Sequence, residues 1–252
     1  MPLPNQGQPA ISAAEESSAA MLHLLQSQSR YLFSEEEFAL QTGRMPGSSA
    51  SQNALQRLAR AGKIVLAQKK PAKWLIVPPE QAHYGAPPTD WWLDDLLRDQ
   101  EPHYYVALLS AARFWGSSHY AFQRNVVMLS RQRRSLELGK VQVDFVLKRD
   151  IAKTPVVYER TKVARIRVST REATLLDLIR HQASVGGLEA IARIAHDFHS
   201  QMFANGMLEA IHALDQVPAV QRLGFILDEL GHNRLAKPAA TWLARVDRKS
   251  VV

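Results

Sequence analysis

Cysteine is absent from this chain of 252 residues, which excludes disulfide bonds and cysteine-based metal sites. No apolar run approaches the roughly 18 residues that a membrane-spanning helix needs. The N-terminal segment MPLPNQGQPA lacks the basic and apolar regions of a signal peptide, and neither a Gly-rich phosphate loop nor a GxSxG nucleophile motif occurs. These absences predict a cytoplasmic protein that has no membrane segment, needs no cofactor and carries no catalytic residues.

Acidic residues are fewer than basic residues. The chain has 31 Lys and Arg residues against 24 Asp and Glu residues, a formal net charge of +7. This excess favours an anionic partner, although charge alone does not separate nucleic acid from a membrane surface. A basic membrane-surface helix is disfavoured because the densest charge lies on a hairpin and a polar helix face without large apolar anchors.

Acidic residues are missing altogether from the stretch between Gln41 and Val77, which holds seven Lys or Arg residues. Within it, the turn GRMPGSS precedes a predicted helix from about Ser49 to Ala61. Two apolar runs, KIVLAQ and KWLIV, then flank KKPA and predict a hairpin with a basic tip. The order of helix and then hairpin is that of a winged helix-turn-helix, and it suits duplex DNA.

The predicted helix has one apolar face and one polar face. At about 100° per residue, Leu55 and Leu58 fall on the same side, opposite the amide and guanidinium side chains. Arg can bind guanine through two acceptors, and Asn or Gln can pair with adenine, while lysines on the hairpin can reach phosphates. A solvated amphipathic helix beside an ordinary hairpin is the alternative. The predicted DNA-binding residues are Asn53, Gln56, Arg57, Arg60, Lys63, Lys69, Lys70 and Lys73.

Two more helices are predicted before this stretch, at about residues 13–28 and 35–41. The second begins with a capping box, in which Ser34 and Glu37 satisfy each other's backbone donors. Residues 13–80 are therefore predicted to form the winged helix-turn-helix domain. A Pro-rich linker at 81–89 follows, and a second domain is predicted at 90–245. That domain opens with the acidic segment DWWLDDLLRDQE, predicted as a helix in which Trp91 and Trp92 serve packing.

The second domain is predicted to be a small sheet with a helical C-terminal half, so the fold class is α+β. YYVALLSAARFWG is predicted as a helix, and NVVMLS, VQVDFVL, PVVYER and VARIRVS as strands. A capping box of Ser169 and Glu172 then opens the helix in STREATLLDLIR. The remainder is predicted as three further helices and a short tail, and Asp177 in TLLDL as a structural residue that bonds a neighbouring loop or backbone.

Two metal hypotheses are weighed and disfavoured. Asp144, Glu159 and Lys162 are similar in type to the acid, acid and lysine set of metal-dependent nucleases. Glu159 and Lys162 stand three residues apart, however, so they would point to opposite faces of a strand. His196 and His199 are spaced for one helix face, but helix-surface histidines that bind no metal are far commoner. No metal site is predicted.

Several segments together resemble the AbiEi-type antitoxins of type IV toxin-antitoxin systems. These are the basic N-terminal domain, YYVALLSAARFWG, RIRVSTREATLLDLIR, VGGLEAIARI and QRLGFILDELG. The similarity extends over about residues 15–232, and TLLDL and RLG are its best-defined pieces. The segment GSSHYAFQRNVVMLSRQRRS departs from the family pattern because it is more basic and less turn-like.

The resemblance implies an antitoxin with two roles and no enzymatic activity. Its N-terminal domain would bind inverted repeats in its own promoter and repress its operon. Its C-terminal domain would counter a nucleotidyltransferase-like toxin encoded beside it, directly or indirectly. A plain winged-helix regulator whose second domain senses a ligand or dimerises is the competing class. The basic residues that could contact the toxin or its RNA target, or form only a solvated rim, are Arg131, Arg133, Arg134, Arg165 and Arg167.

Overall fold

The computed structural model describes residues 13–117 and 124–250. The chain divides into two compact units, one comprising the residues up to Trp92 together with Leu138–Lys140, and the other comprising Leu93–Glu137 and the rest of the chain. Helices and strands are mixed in both units, which agrees with the predicted α+β class. Residues 1–12 and part of the segment GSSHYAFQRNVVMLSRQRRS lie outside the described residues.

Among its described residues, the first unit contains three α-helices and a three-stranded antiparallel sheet. In chain order its elements are α1 (Ala13–Ser27), β1 (Leu32–Ser34), α2 (Glu35–Gln41), α3 (Ser49–Arg60), β2 (Ile64–Lys69) and β3 (Ala72–Ile76). The strand order is β1-β3-β2. The short strand β1 was not predicted, because three residues are too few to show an alternating pattern, and it pairs with β3 only once the chain has folded.

Local signals set the helix boundaries of the first unit. The Ser34 hydroxyl accepts a hydrogen bond from the Glu37 amide at 3.0 Å, which is one half of the predicted capping box, whereas the Glu37 carboxylate pairs with Arg30 at 2.8 Å. Ser48 caps α3 in the same way, since its hydroxyl accepts from the Ser51 amide at 3.3 Å. The core beneath the helices is built from buried apolar side chains, among them Met21, Leu25, Phe33, Phe38, Leu55, Ile64 and Ile76.

The second unit is organised around a mixed sheet. Its elements begin with the short helix α4 (Leu93–Leu97), β4 (Tyr105–Val106), α5 (Leu108–Phe114), β5 (Arg124–Leu129), β6 (Leu136–Leu138), β7 (Val141–Leu147), β8 (Val156–Arg160) and β9 (Arg165–Ser169). The strand order is β6-β7-β5-β4-β9-β8. β4 is parallel to β9, and β5 is parallel to β7.

Two predictions around β4 are wrong. The segment YYVALLSAARFWG is not one helix, because Tyr105 and Val106 pair with Met128 and Val127 as a strand and the helix starts only at Leu108. The acidic segment DWWLDDLLRDQE is likewise not one helix. It forms a 3-10 turn at Thr89–Trp91 and the five-residue α4. In each case tertiary contacts override a helix-forming sequence.

Five helices complete the second unit: α6 (Arg171–Arg180), α7 (Gly187–Phe198), α8 (Ala204–Leu214), α9 (Val217–Glu229) and α10 (Asn233–Ser250). The predicted short tail is wrong, since the last 18 residues described form α10. Buried side chains such as Leu235, Ala239 and Trp242 place α10 in the same core as α6 to α9. The described helices include none that is both long and apolar enough to cross a bilayer.

The predicted capping box at the start of α6 is also wrong. Thr170 rather than Ser169 caps the helix, because its hydroxyl accepts from the Ala173 amide at 3.2 Å. Glu172 turns away from the helix start and accepts a hydrogen bond from the Phe203 amide at 2.9 Å. The carboxylate also lies against Gly206, where a Cβ would come within 3.0 Å of its Oε1. Glu172 therefore joins α6 to the start of α8 instead of capping its own helix.

Candidate nucleic-acid interface

Helix α3 separates its apolar and polar side chains as the sequence predicted. Ser51, Ala54 and Leu55 are buried, and Leu58 packs partly against the same core. The four residues of α3 that are predicted to contact DNA lie on the other side and are exposed to solvent: Asn53, Gln56, Arg57 and Arg60. Because one face is anchored in the core, the opposite face is held outward on a rigid element, which is what base recognition requires.

The end of α3 determines where the hairpin begins. Gly62 adopts φ +68, a left-handed conformation that favours glycine. The Gly62 amide donates to the Ala59 carbonyl at 3.0 Å, and the Lys63 amide donates to the Leu58 carbonyl at 3.0 Å. These two bonds close the helix and send the chain directly into β2, so that Lys63 stands exposed at the junction.

The hairpin carries the remaining lysines. Lys69 pairs with Ala72 at the end of the β2 and β3 ladder, and Lys70 occupies the turn. Both lysines are exposed, whereas Lys73 is half-buried. The Gln68 side chain donates to the carbonyls of Lys70 and Pro71 at 3.3 and 3.2 Å, which orders the tip.

Charge on this surface is not neutralised within the described part of the chain. The eight predicted residues make no ion pair or side-chain hydrogen bond there. Arg44 differs, since its guanidinium donates to the Ser18 hydroxyl at 3.3 Å and lies over the Phe38 ring. Arg44 therefore serves packing, and the positive charge that can attract an anion comes from α3, Lys63 and the hairpin.

The five predicted basic residues of the second unit lie in different environments. Arg131 pairs with Glu101, a carboxylate that is only 1% exposed, and donates to the Gln100 carbonyl at 2.9 Å. Arg133 lies over the Phe145 ring at 5.1 Å, and burial lowers the pKa of its guanidinium. Arg134 and Arg165 are exposed. These environments differ enough that the five residues will not contribute equally to any contact.

Arg167 is not at the surface. It is 8% exposed, its guanidinium donates to the Pro102 carbonyl, and it lies between the rings of Tyr104 and Tyr158 at 4.9 and 4.7 Å. As it stands, Arg167 holds β9 against its neighbours, so the expectation that it lies on a contact surface is corrected.

The carboxylates of the nuclease hypothesis lie far apart. Asp144 is on β7 and Glu159 on β8, and β5, β4 and β9 lie between these strands. At about 4.8 Å per strand, the separation is roughly 19 Å, which is too great for one shared metal ion. Within residues 13–117 and 124–250, the metal-ligating atoms that converge belong to His196, His199 and His232.

A buried polar cluster that the sequence did not predict surrounds Asp177. Its Oδ1 accepts from Lys148 Nζ at 2.7 Å and its Oδ2 accepts from the Tyr105 hydroxyl at 2.7 Å. Asp177 is structural, as expected, but its partners are side chains from other elements rather than a neighbouring loop or backbone. One signal was available: a carboxylate inside the apolar run LLDLI needs a buried cationic or donor partner.

Comparison with known proteins gives a family for most of the second unit. Residues 105–229 match the model described as the AbiEi antitoxin C-terminal domain. The predicted family is thereby confirmed, over a shorter range than the one expected. A search of curated proteins returns no match.

A similar architecture occurs in a solved structure. The crystal structure of the RV2827C protein from Mycobacterium tuberculosis superposes with a TM-score of 0.61 at 18% identity, covering 91% of this chain and 81% of that chain. At this identity the likeness concerns the fold alone.

Proposed function

We propose, from the premise that residues 105–229 are an AbiEi antitoxin C-terminal domain, that this chain is the antitoxin of a type IV toxin-antitoxin system. In this proposal it represses its own operon by binding inverted repeats in the promoter. It also counters a nucleotidyltransferase-like toxin encoded beside it. The family supports an antitoxin and regulatory role.

The observation that carries the DNA-binding part is the outward face of α3. Its polar side chains have no ion-pair partner in the described residues, while the opposite face is buried in the core. We interpret the first unit as a winged helix-turn-helix, with α3 in the major groove and the hairpin against the flanking backbone. Residues 13–80 would then act as the DNA-binding domain and residues 90–245 as the antitoxin domain.

A plain regulator is the second candidate, because its DNA-binding surface would be identical. The two candidates differ in whether the second unit protects a cell from a toxin. Growth of cells that express the neighbouring nucleotidyltransferase-like gene, with and without this protein, separates them. Full growth rescue supports the antitoxin. Binding to promoter DNA without any rescue supports the plain regulator.

The surface that counters the toxin is best tested at Arg134 and Arg165. Both are exposed, whereas replacing Arg131 would leave the buried Glu101 carboxylate without its cation and destabilise the fold. We expect the double variant Arg134→Glu and Arg165→Glu to lose protection while it keeps its thermal midpoint. Arg245→Glu, an exposed site on α10, is the matched control. Full protection by the folded double variant would assign these two residues to a solvated rim.

DNA binding is tested by fluorescence anisotropy with the promoter duplex and a random duplex of equal length. We expect tighter binding to the promoter, with both affinities falling as salt rises because phosphate contacts release counterions. Equal affinity for the two duplexes at every salt concentration would contradict specific repression. This measurement is independent of the toxin experiment, so the two roles succeed or fail separately.

A further inference from the structure

Three histidines from separate places in the second unit meet at one point. His196 lies near the end of α7, His199 follows that helix directly, and His232 lies between α9 and α10. Their ligand atoms are all within 4.8 Å of one another. The rings of His199 and His232 are nearly parallel, with centroids 4.4 Å apart. From the sequence only the first two could be related, since His232 lies 33 residues beyond His199.

We propose that His196, His199 and His232 form a binding site for a divalent transition-metal ion of the zinc class. This proposal does not rest on DNA binding or on toxin neutralisation. In the absence of cysteine, imidazole is the side chain best suited to Zn²⁺, Ni²⁺ or Cu²⁺, whereas Mg²⁺ and Ca²⁺ prefer oxygen ligands. Three protein ligands leave a fourth position for water or for a group from a partner.

The hydrogen bonding of His199 suits it to metal binding. Its Nδ1 lies at hydrogen-bond distance from the His196 carbonyl. When Nδ1 carries the proton and donates to that carbonyl, Nε2 keeps its lone pair for a metal. A carbonyl that orients the ring in this way is the usual support for a metal-ligating histidine.

His232 supplies the second, independent observation. Its Nε2 is inaccessible to solvent and has no hydrogen-bond partner within the described residues. A buried polar atom without a partner costs free energy, and coordination of a metal ion would give this nitrogen a partner.

Metal binding requires the imidazole rings to turn. Zn²⁺ binds imidazole nitrogen at about 2.0–2.1 Å, so nitrogens in a tetrahedral site stand roughly 3.4 Å apart. An imidazole binds a metal ion in the plane of its ring, so the nearly parallel rings of His199 and His232 must rotate out of their stack, and the exposed His196 side chain must turn toward them. His232 also accepts hydrogen bonds from the Leu235 and Ala236 amides through its carbonyl, at 2.8 and 3.1 Å. A bound ion would consequently tie the first turn of α10 to the end of α7.

The test uses the full-length protein without a histidine tag, stripped with EDTA and desalted. ZnCl₂ is titrated by calorimetry, and the thermal midpoint is measured with and without the ion. We expect saturable binding of one ion per chain and a higher midpoint in its presence, because an ion that binds the folded state stabilises it. MgCl₂ at the same concentration should neither bind saturably nor raise the thermal midpoint.

Single variants locate the site. His196→Gln, His199→Gln and His232→Gln should each weaken Zn²⁺ binding about tenfold or more and abolish the shift in midpoint. His212→Gln, an exposed histidine on α8, is the matched control and should bind like the wild type. His196→Gln keeps the test valid if a more buried variant is unstable, since its side chain is exposed. Absence of saturable binding, or wild-type affinity in folded His196→Gln and His232→Gln, would overturn the proposal.

Discussion

Lys148 Nζ lies 2.7 Å from Asp177 Oδ1 in the interior of the second unit, with side chains that are only 7% and 1% exposed. The Tyr105 hydroxyl completes the cluster, since it accepts from Lys148 at 2.8 Å and donates to the other carboxylate oxygen of Asp177 at 2.7 Å. Tyr105 opens β4, Lys148 directly follows β7, and Asp177 lies within α6. A buried ion pair satisfied in this way holds α6 against the sheet.

Removing one partner of this pair should destabilise the fold strongly. We expect Asp177→Ala to lower the free energy of unfolding by about 3–5 kcal/mol, because it leaves the Lys148 ammonium buried without a counter-charge. Urea denaturation followed by circular dichroism measures the change. Asp144→Ala is the control, since Asp144 pairs with an exposed Arg124 at 3.7 Å and should cost less than about 1 kcal/mol. Similar losses in the two variants would contradict a stabilising role for the cluster.

Stability should fall at alkaline pH because of Tyr105. Burial first, and then the Asp177 carboxylate, raise the pKa of this hydroxyl well above its ordinary value. Below about pH 10 the tyrosine is protonated in both the folded and the unfolded state, so it adds no pH dependence. Above that pH the unfolded chain releases the proton while the folded protein keeps it, and the free energy of unfolding decreases.

In the Tyr105→Phe variant, the free energy of unfolding should therefore decrease less steeply with rising pH than in the wild type. The difference in slope should be up to about 1.4 kcal/mol per pH unit. Urea denaturation across the alkaline range measures the slope. Tyr84→Phe, at a half-exposed position, is the matched control and should follow the wild type. Parallel slopes for the wild type and Tyr105→Phe would show that this hydroxyl does not control the transition.

The guanidinium groups of α3 should provide sequence specificity. Arg57→Ala or Arg60→Ala should weaken binding to the promoter by about 1–3 kcal/mol if the residue reads a base, and should narrow the difference from random DNA. Anisotropy titrations with both duplexes measure this difference. Arg245→Ala removes an equal charge from an exposed position on α10. This variant should leave the difference in affinity between promoter and random DNA unchanged. Unaltered promoter binding by both α3 variants would remove this helix face from the interface.

The hairpin lysines should provide affinity without specificity. Replacing Lys69, Lys70 and Lys73 with Ala should weaken binding to all duplexes alike. The slope of log affinity against log salt should also decrease by close to one unit for each lost phosphate contact. Lys237→Ala, at an exposed site in the second unit, shows the effect of removing one positive charge away from the hairpin. A selective loss at the promoter with an unchanged salt slope would show that these lysines read bases instead.

The second unit should neutralise the toxin without metal-dependent hydrolysis by Asp144, Glu159 and Lys162, the three residues of the nuclease hypothesis. Asp144→Ala, Glu159→Ala and Lys162→Ala should each leave protection largely intact, since β7 and β8 are at different ends of the strand order. Growth rescue in the presence of the toxin is the measurement, with Asp177→Ala as the variant expected to fail through loss of stability. Loss of protection in all three folded variants, or divalent-dependent cleavage of nucleic acid, would favour a nuclease.

Features written in short stretches of sequence could be predicted. The periodicity of α3 placed Leu55 inside and Arg60 outside, and the capping pair of Ser34 and Glu37 located the start of α2. Helix faces and caps depend on neighbours within about four residues, so the pattern is readable without the fold. The family was likewise recognisable from local motifs such as TLLDL.

Features that depend on distant partners were missed. Tyr105 and Val106 form a strand only because Val127, Met128 and Val168 lie beside them, and three residues of β1 pair with β3 for the same reason.

The sequence by itself determined the polar face of α3, the basic hairpin and the family of the second unit, because each is carried by contiguous residues. Only the tertiary structure decided that Arg167 is buried, that Lys148 is the partner of Asp177 and that His232 joins His196 and His199. Lys148 and Asp177 are 29 positions apart along the chain, and His232 lies 33 positions beyond His199. The fold brings these residues together through burial of apolar surface. Because this driving force is non-directional, the local sequence does not show which distant residues will be in contact.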